Sequence, residues 1–275
     1  MKTTISFLFL LLFLGSNAQF CNIKKHHFQG GEKLSYEVYY HWGFMWVSAG
    51  WVNFNTTTEN YNGTNALHFK SYGKSYPKWN WFYEVDDKYE SYVDKINLNP
   101  LYFSRDVHEN NLIQQEEYYF NTAENKIKTK SRKQEGKKTN EASWVEKELQ
   151  MKKCTFDPIT MIYYARCINF EKYTINQQIP ITMVIDGEIH DVFIRYLGKE
   201  KKEIKNQGTY NTLKFSALLV EGTIFKGGEG MTVWITDDEN RLPLLIESEV
   251  LVGEILVVMS NTEGLKFPST AKIQD

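Results

Sequence analysis

Asp157-Pro158-Ile159-Thr160-Met161-Ile162-Tyr163-Tyr164-Ala165-Arg166-Cys167-Ile168-Asn169-Phe170 is the one stretch beyond the leader that reads plainly as a helix. Asp157 is a strong N-cap residue, because its carboxylate accepts from the free N–H groups of the first turn. Pro158 follows where φ is already set and no donor is lost. Ile159, Ile162 and Tyr163 share one face, while Met161, Tyr164, Ala165 and Ile168 line another. A helix apolar over so much of its circumference is largely buried. Arg166 breaks the pattern, since its guanidinium needs a carboxylate, backbone carbonyls or the anionic group of a ligand. Snorkelling to water or a structural ion pair is the ordinary fate of such a side chain.

On both sides of this helix the chain alternates with the period of half-buried strands. Leu34, Tyr36, Val38 and Tyr40 alternate with Lys33, Ser35, Glu37 and Tyr39, and a second strand follows over 46–54. Asn62-Gly63 is a hairpin signal leading into a strand at 66–71. Trp79 and Trp81 occupy alternate positions, as on one face of a strand, and Val85-Asp86-Asp87 reads as a turn. Strands at 89–93, 101–107 and 114–120 continue the meander. Beyond the helix, 179–185 and 188–196 flank the turn signal Asp186-Gly187. The polar stretch 199–206 reads as a loop or hairpin tip, and 212–220, 230–236, 244–250 and 254–260 complete the strands.

Two segments resemble one another across the helix: Asp86-Asp87 before Pro100-Leu101, and Asp237-Asp238 before Pro243-Leu244. The pattern predicts a mainly β fold, a strongly curved antiparallel sheet or incomplete barrel, as one unit or two related halves, with one principal helix at 157–170. A flexible lead-in at 19–29 precedes a single β-rich domain over 30–265, and 266–275 forms a tail.

The first residues address the compartment. Lys2, the apolar run Ile5–Leu14 and the small residues Ser16-Asn17-Ala18 make a secretory signal peptide over 1–18. Phe20 before Cys21 is too bulky for a lipid-modification signal. No later run approaches the ~20 apolar residues of a membrane-spanning helix. A periplasmic or otherwise exported protein, soluble after cleavage and without a transmembrane segment, is expected. A net charge of -2 argues against general nucleic-acid binding. With 3 cysteines, at most one internal bridge is possible, and a Cys154–Cys167 pair would require the chain to double back.

Signatures of catalysis are absent from the sequence. The six histidines form no His-x-x-x-His or His-Glu-x-x-His pair, no Gly-x-Ser-x-Gly elbow is present, and the paired acids lack calcium-loop spacing. No catalytic residue, metal or cofactor is assigned. Gly227-Gly228-Glu229-Gly230 lacks the lysine and hydroxyl of a phosphate loop and reads as a flexible connection. Lys126 to Lys138 carries seven basic residues against Glu135. It reads as the solvated face of an edge strand, with an anionic lipid or polysaccharide as the alternative occupant.

Gly31-Glu32-x-Leu34-x-Tyr36-x-Val38, Ala49-Gly50, the Asp157–Arg166 helix and Val233-Trp234-Ile235-Thr236-Asp237-Asp238…Arg241-x-Pro243…Glu247…Gly253-x-Ile255 resemble an exported bacterial family known as domain of unknown function 3108. The resemblance implies a bacterial envelope location and a mostly antiparallel β protein. The architecture is similar to periplasmic lipoprotein carriers, a curved sheet closed by a helix, which is an analogy of fold alone. The lysine-rich stretch departs from some relatives.

Aromatic residues make up 15% of the chain. Trp42, Trp46 and Trp51 gather in the first hairpin, and burial in a core is their ordinary role. The sharper expectation is an apolar groove under the helix, holding a lipid or another hydrophobic envelope ligand, with Trp46, Trp51, Trp79, Trp81, Tyr164 and Arg166 as its binding residues and Arg166 near a head group. A non-enzymatic carrier follows. The alternatives are a structural or assembly partner of an envelope protein, favoured by an exposed aromatic patch, and a carbohydrate-binding module or enzyme. Two convergent carboxylates beside Trp79 and Trp81 would revive the enzyme reading.

Overall fold

The alternating segments become β1 (Lys33–Trp42), β2 (Met45–Tyr61), β3 (Thr64–Ser75), β4 (Asp86–Asp94), β5 (Pro100–Glu109), β6 (Leu112–Asn121), β7 (Lys126–Glu135) and β8 (Val145–Gln150). After them come β9 (Thr155–Phe156), the helix α1 (Pro158–Cys167), β10 (Gln178–Ile185), β11 (Glu188–Ile204), β12 (Gly208–Leu219), β13 (Gly228–Thr236), β14 (Pro243–Glu249) and β15 (Glu254–Glu263). The computed structural model describes residues 23, 25–136, 142–220, 228–250 and 253–274. The leader 1–18, Cys21, Lys137, Lys138 and Gly227 lie outside the described residues, as does the side chain of Trp42.

All fifteen described strands join one sheet in the order β8-β7-β6-β5-β4-β3-β2-β1-β15-β14-β13-β12-β11-β10-β9. Neighbours run antiparallel, except for the parallel pair β9 and β10. The first and last strands are partners at the centre, Lys33 opposite Glu263 and Tyr40 opposite Ile255. Strands β8 and β9, consecutive in the chain, are the two unpaired edges. The sheet is therefore strongly curved but unclosed.

Side chains bridge the opening that backbone bonds leave. The β10–β11 turn at Asp186-Gly187 has positive φ at both residues, 55° and 65°, as a two-residue hairpin requires. Tyr118 of β6 accepts a hydrogen bond from Gly187 N at 3.0 Å and donates to Glu116. Arg105 of β5 binds Asp186 of the same turn. Val184 and Ile189 pack into one apolar cluster with Phe103, Tyr118 and Ile127.

Helix α1 lies between the two limbs of the sheet, touching β3 and β4 on one side and β9 and β10 on the other. Asp157 caps it, accepting from Thr160 N at 2.9 Å and from the Ser91 hydroxyl of β4 at 2.8 Å. Ile159 and Tyr163 pack with Phe28 and Phe69, whereas Ala165 and Ile168 join Ile179, Ile181 and Phe215. Its neighbours thus belong to both halves of the chain. Arg166 is only 1% exposed and holds Glu32 in a two-pronged ion pair, at 2.6 and 2.9 Å. The same guanidinium donates to the carbonyls of His27 and Asn240.

Several local expectations are corrected. Residues 199–204 are not a loop: β11 continues to Ile204, with the turn at Asn206. Gly198, at φ +103°, lets the strand bulge and carry on. The polar run stays on the solvent side and shelters Trp234, whose ring lies 3.8 Å below Lys202 Nζ. Asp86 and Asp87 open β4 instead of making a turn, so the likeness to the Asp237-Asp238 turn fails at its acidic pair. Trp79 and Trp81 do not share a strand face, because Pro77 starts a short 3-10 helix at Pro77–Trp79. The lysine-rich strand β7 is not the edge. Strand β8 lies outside it, and Lys126 pairs with Glu148 at 2.6 Å.

The described residues of the lead-in, 25–29, are docked, with Phe28 buried and the His27 ring bonded to Glu239 O at 2.7 Å. The tail is docked too, through Asn211 N to Ala271 O at 2.8 Å.

Replacing Glu32 by Gln strands the Arg166 charge in the interior, which costs about 3–5 kcal/mol. Urea unfolding at neutral pH should show this loss, and Glu32→Leu combined with Arg166→Met should recover most of it. An unchanged midpoint for Glu32→Gln would remove the pair from its anchoring role.

Candidate functional site

A hollow opens on the inward face of β1–β5, at the end of the sheet away from the helix cap. Its origin lies in small inward residues. The β1–β2 register shifts at Val38/Tyr39, which leaves Ala49 as the extra residue. Gly50 approaches β3 so closely that a Cβ would lie 2.4 Å from Lys74 O. Gly73 on β3 has nothing nearer than 3.8 Å in front of its missing Cβ. Further along the same face Leu34, Tyr36, Phe54 and Phe69 fill the interior, whereas here the β2 and β3 positions are Ala49, Gly50 and Gly73.

The resulting cavity measures about 480 Å³, within the usual range for small-molecule pockets. Val38, Tyr40, Val47 and Val52 form one wall, and Trp79, Phe82, Tyr83 and Val85 another, with Val250 and Ile255 across β15. The connection from Tyr76 to Val85 is pinned over the hollow. Tyr76 N donates to Ala49 O at 2.8 Å, Trp79 Nε1 to Ser48 O at 2.7 Å, and the Tyr76 hydroxyl to Glu37 at 2.9 Å. Ser75 Oγ donates to Asn80 Oδ1 at 2.8 Å.

Two acids interrupt the apolar lining. Asp87 of β4 and Glu109 of β5 both point inward from adjacent strands. Glu109 is 7% exposed and accepts from the Tyr83 hydroxyl at 2.7 Å. Asp87 accepts from His108 N at 3.0 Å. Burial first, and then the neighbouring Glu109 carboxylate, hold the Asp87 carboxyl up at about 7. Arg105 opposes the shift from a distance, but its guanidinium is committed to Glu116 and Asp186. No described lysine or arginine forms an ion pair with either acid.

The structure places the six expected binding residues in different surroundings. Trp51 and Trp79 line the cavity. Trp46 stacks on His41 at the exposed hairpin tip, with ring centroids 4.8 Å apart, and Trp81 is 73% exposed. Tyr164 packs on Phe156 at 4.5 Å, and Arg166 is held by Glu32. None of these last four lines the cavity, which is not under the helix. Asp87 and Glu109 were missed. Their signal is parity: Asp87 shares its face with Tyr89 and Ser91, and Glu109 with Phe103, Arg105 and Val107.

A family model described as "Protein of unknown function (DUF3108)" matches residues 35–260. The chain belongs to this family. A crystal structure titled as a beta-barrel-like protein of domain of unknown function DUF1849, from Brucella abortus, is similar in fold, with a TM-score of 0.54. The likeness spans 87% of this chain and 100% of that one at 5% identity, so it concerns the fold alone. No curated protein matches this DUF3108 chain. Among its described residues no helix is long and apolar enough to cross a membrane. Cys154 is disulfide-bonded and Cys167 is free, its thiol pushed up to about 12 by burial.

Because Asp87 titrates higher folded than unfolded, the folded protein keeps a proton that the unfolded chain releases above about pH 4. The associated stability is fully present below that pH and is lost as pH rises through about 7. Asp87→Asn should therefore gain urea resistance relative to the unaltered protein at pH 8 and keep only a smaller part of that advantage at pH 5. A difference independent of pH would contradict the assignment.

Proposed function

We propose that this DUF3108 protein is an exported, non-enzymatic binder or carrier of a hydrophobic ligand, which occupies the cavity between β1–β3 and the 76–85 connection. The observation that carries the reading is the wall itself: a hollow of about 480 Å³ bounded largely by valine, isoleucine, glycine, alanine and aromatic carbon. Such space is costly to leave in contact with water, and an apolar occupant removes that cost. Export rests on the leader at 1–18, and the envelope location on the family resemblance.

The exposed residues Phe44, Met45, Trp46, Trp81 and Phe82 belong to the two segments that border the cavity. They favour, as a second reading, an assembly partner that covers this end of the molecule. The acid pair near Trp79 meets one condition of glycoside chemistry. The wall argues the other way, since a sugar needs hydrogen-bonding groups that valine and glycine lack.

Gly73→Leu is the direct test, because Gly73 lines the cavity and a Cβ there meets its neighbours, Val52 and the Trp51 carbonyl, only at ordinary contact distances of 3.8–3.9 Å. The neutral probe N-phenyl-1-naphthylamine should brighten on the unaltered protein, and the variant should lose at least tenfold in affinity while melting normally. Native mass spectrometry on protein from its own host, purified without detergent, should show a lipid-sized adduct that the variant lacks. Absence of both probe uptake and adduct would overturn the carrier reading.

A further inference from the structure

We propose that the cavity selects amphiphiles whose polar end is a cation, an ammonium group above all, over those ending in a carboxylate or phosphate. The inference rests on the ligand-binding reading above and adds the chemistry of the head group. The lining contains two acids, and its one basic member, Lys74, has its ammonium occupied by Asp86 at 2.7 Å. Glu109 is more than nine-tenths buried, yet the Tyr83 hydroxyl reaches only its Oε2, and no described group donates to Oε1. Asp87 likewise receives His108 N on Oδ1 alone.

Both acids line a hollow whose walls are otherwise largely apolar. Each acid has a single donor, Tyr83 or His108 N, and no cation in an ion pair, so a matched cation is the group that relieves their shared negative charge most. An anionic head would instead sit against two acids in a medium that screens poorly. Trp79, Tyr83 and Phe82 add ring faces, the usual companions of an ammonium in a site of this kind.

The charged and titratable groups packed around Asp87 are Glu109, Arg105 and Asp86, with Tyr89 beside it on β4 and Tyr83 on the connection above. Arg105 forms its ion pairs with Glu116 and Asp186 instead. A bound cation therefore meets a pair whose negative charge grows as pH rises, so its affinity should grow in the same direction.

The test uses the full exported chain and three probes that share one tail: dodecyltrimethylammonium, dodecanol and dodecanoate, each below its micelle concentration. Their competition with N-phenyl-1-naphthylamine is measured at pH 5 and pH 8. The expected result is at least tenfold tighter binding of the ammonium than of the carboxylate at pH 8, narrowing at pH 5. Glu109→Gln and Asp87→Asn should each shrink that ratio severalfold. Equal or tighter binding of dodecanoate to the unaltered protein would overturn the head-group assignment while leaving the ligand-binding reading standing. A preference that survives both substitutions would overturn it as well. Failure of all three probes to bind would remove both readings together. The comparison of head groups on the unaltered protein decides the matter even if a variant fails to fold.

Discussion

Arg166 is the point on which the rest of the structure turns. A guanidinium with no access to water needs its charge matched, and both terminal nitrogens are partnered while Nε is not. Here the partners come from distant parts of the chain: the Glu32 carboxylate just before β1, the His27 carbonyl of the lead-in and the Asn240 carbonyl before β14. Asn240 in turn exchanges bonds with Phe267 N and O, and Asp238 accepts from Thr270 N and Ala271 N. One buried cation thereby joins the helix to both ends of the described chain. Phe28 and Tyr163 cover its flanks, with ring centroids 5.1 and 5.5 Å from the guanidinium carbon. The planar fork satisfies a carboxylate and two carbonyls together, a geometry that lysine does not reproduce.

The cavity follows from what surrounds that anchor. Around the helix the inward residues are large and interlocked, and Tyr163 lies flat on Phe69 at 3.8 Å. Beyond the helix the sheet continues without a central element to fill it. Small residues on β2 and β3 and the strapped connection above them leave the remaining interior hollow. The same sheet is thus a core at one end and a container at the other.

The helix was legible because its signals are local: Asp157, Pro158 and an apolar surface within three turns. Most strands were legible for the same reason, since alternation needs no knowledge of distant partners. The site was not. It depends on the absence of side chains at Gly50 and Gly73 and on a bulge at Ala49. Asp87 and Glu109 must also converge on a wall contributed by four other segments. Trp79 and Trp81 misled because period-two spacing was read through a proline that begins a 3-10 turn. Arg166 was recognised as needing a partner, and its partner Glu32 lay in the quoted family pattern. Only the fold brought those two together.

The pairing of β1 with β15 has a consequence for the order in which the molecule can be built. Strands β1 to β8 form successive hairpins and can pair as they are synthesised. The ladder that joins the two limbs must wait for β15, almost the whole chain later. Until then the central edge of β1 stands open, a template for a wrong partner. Closure of so long a loop is slow compared with hairpin formation. A chaperone that shields the β1 edge would therefore act during a defined interval, between the appearance of β1 and the arrival of the last strand.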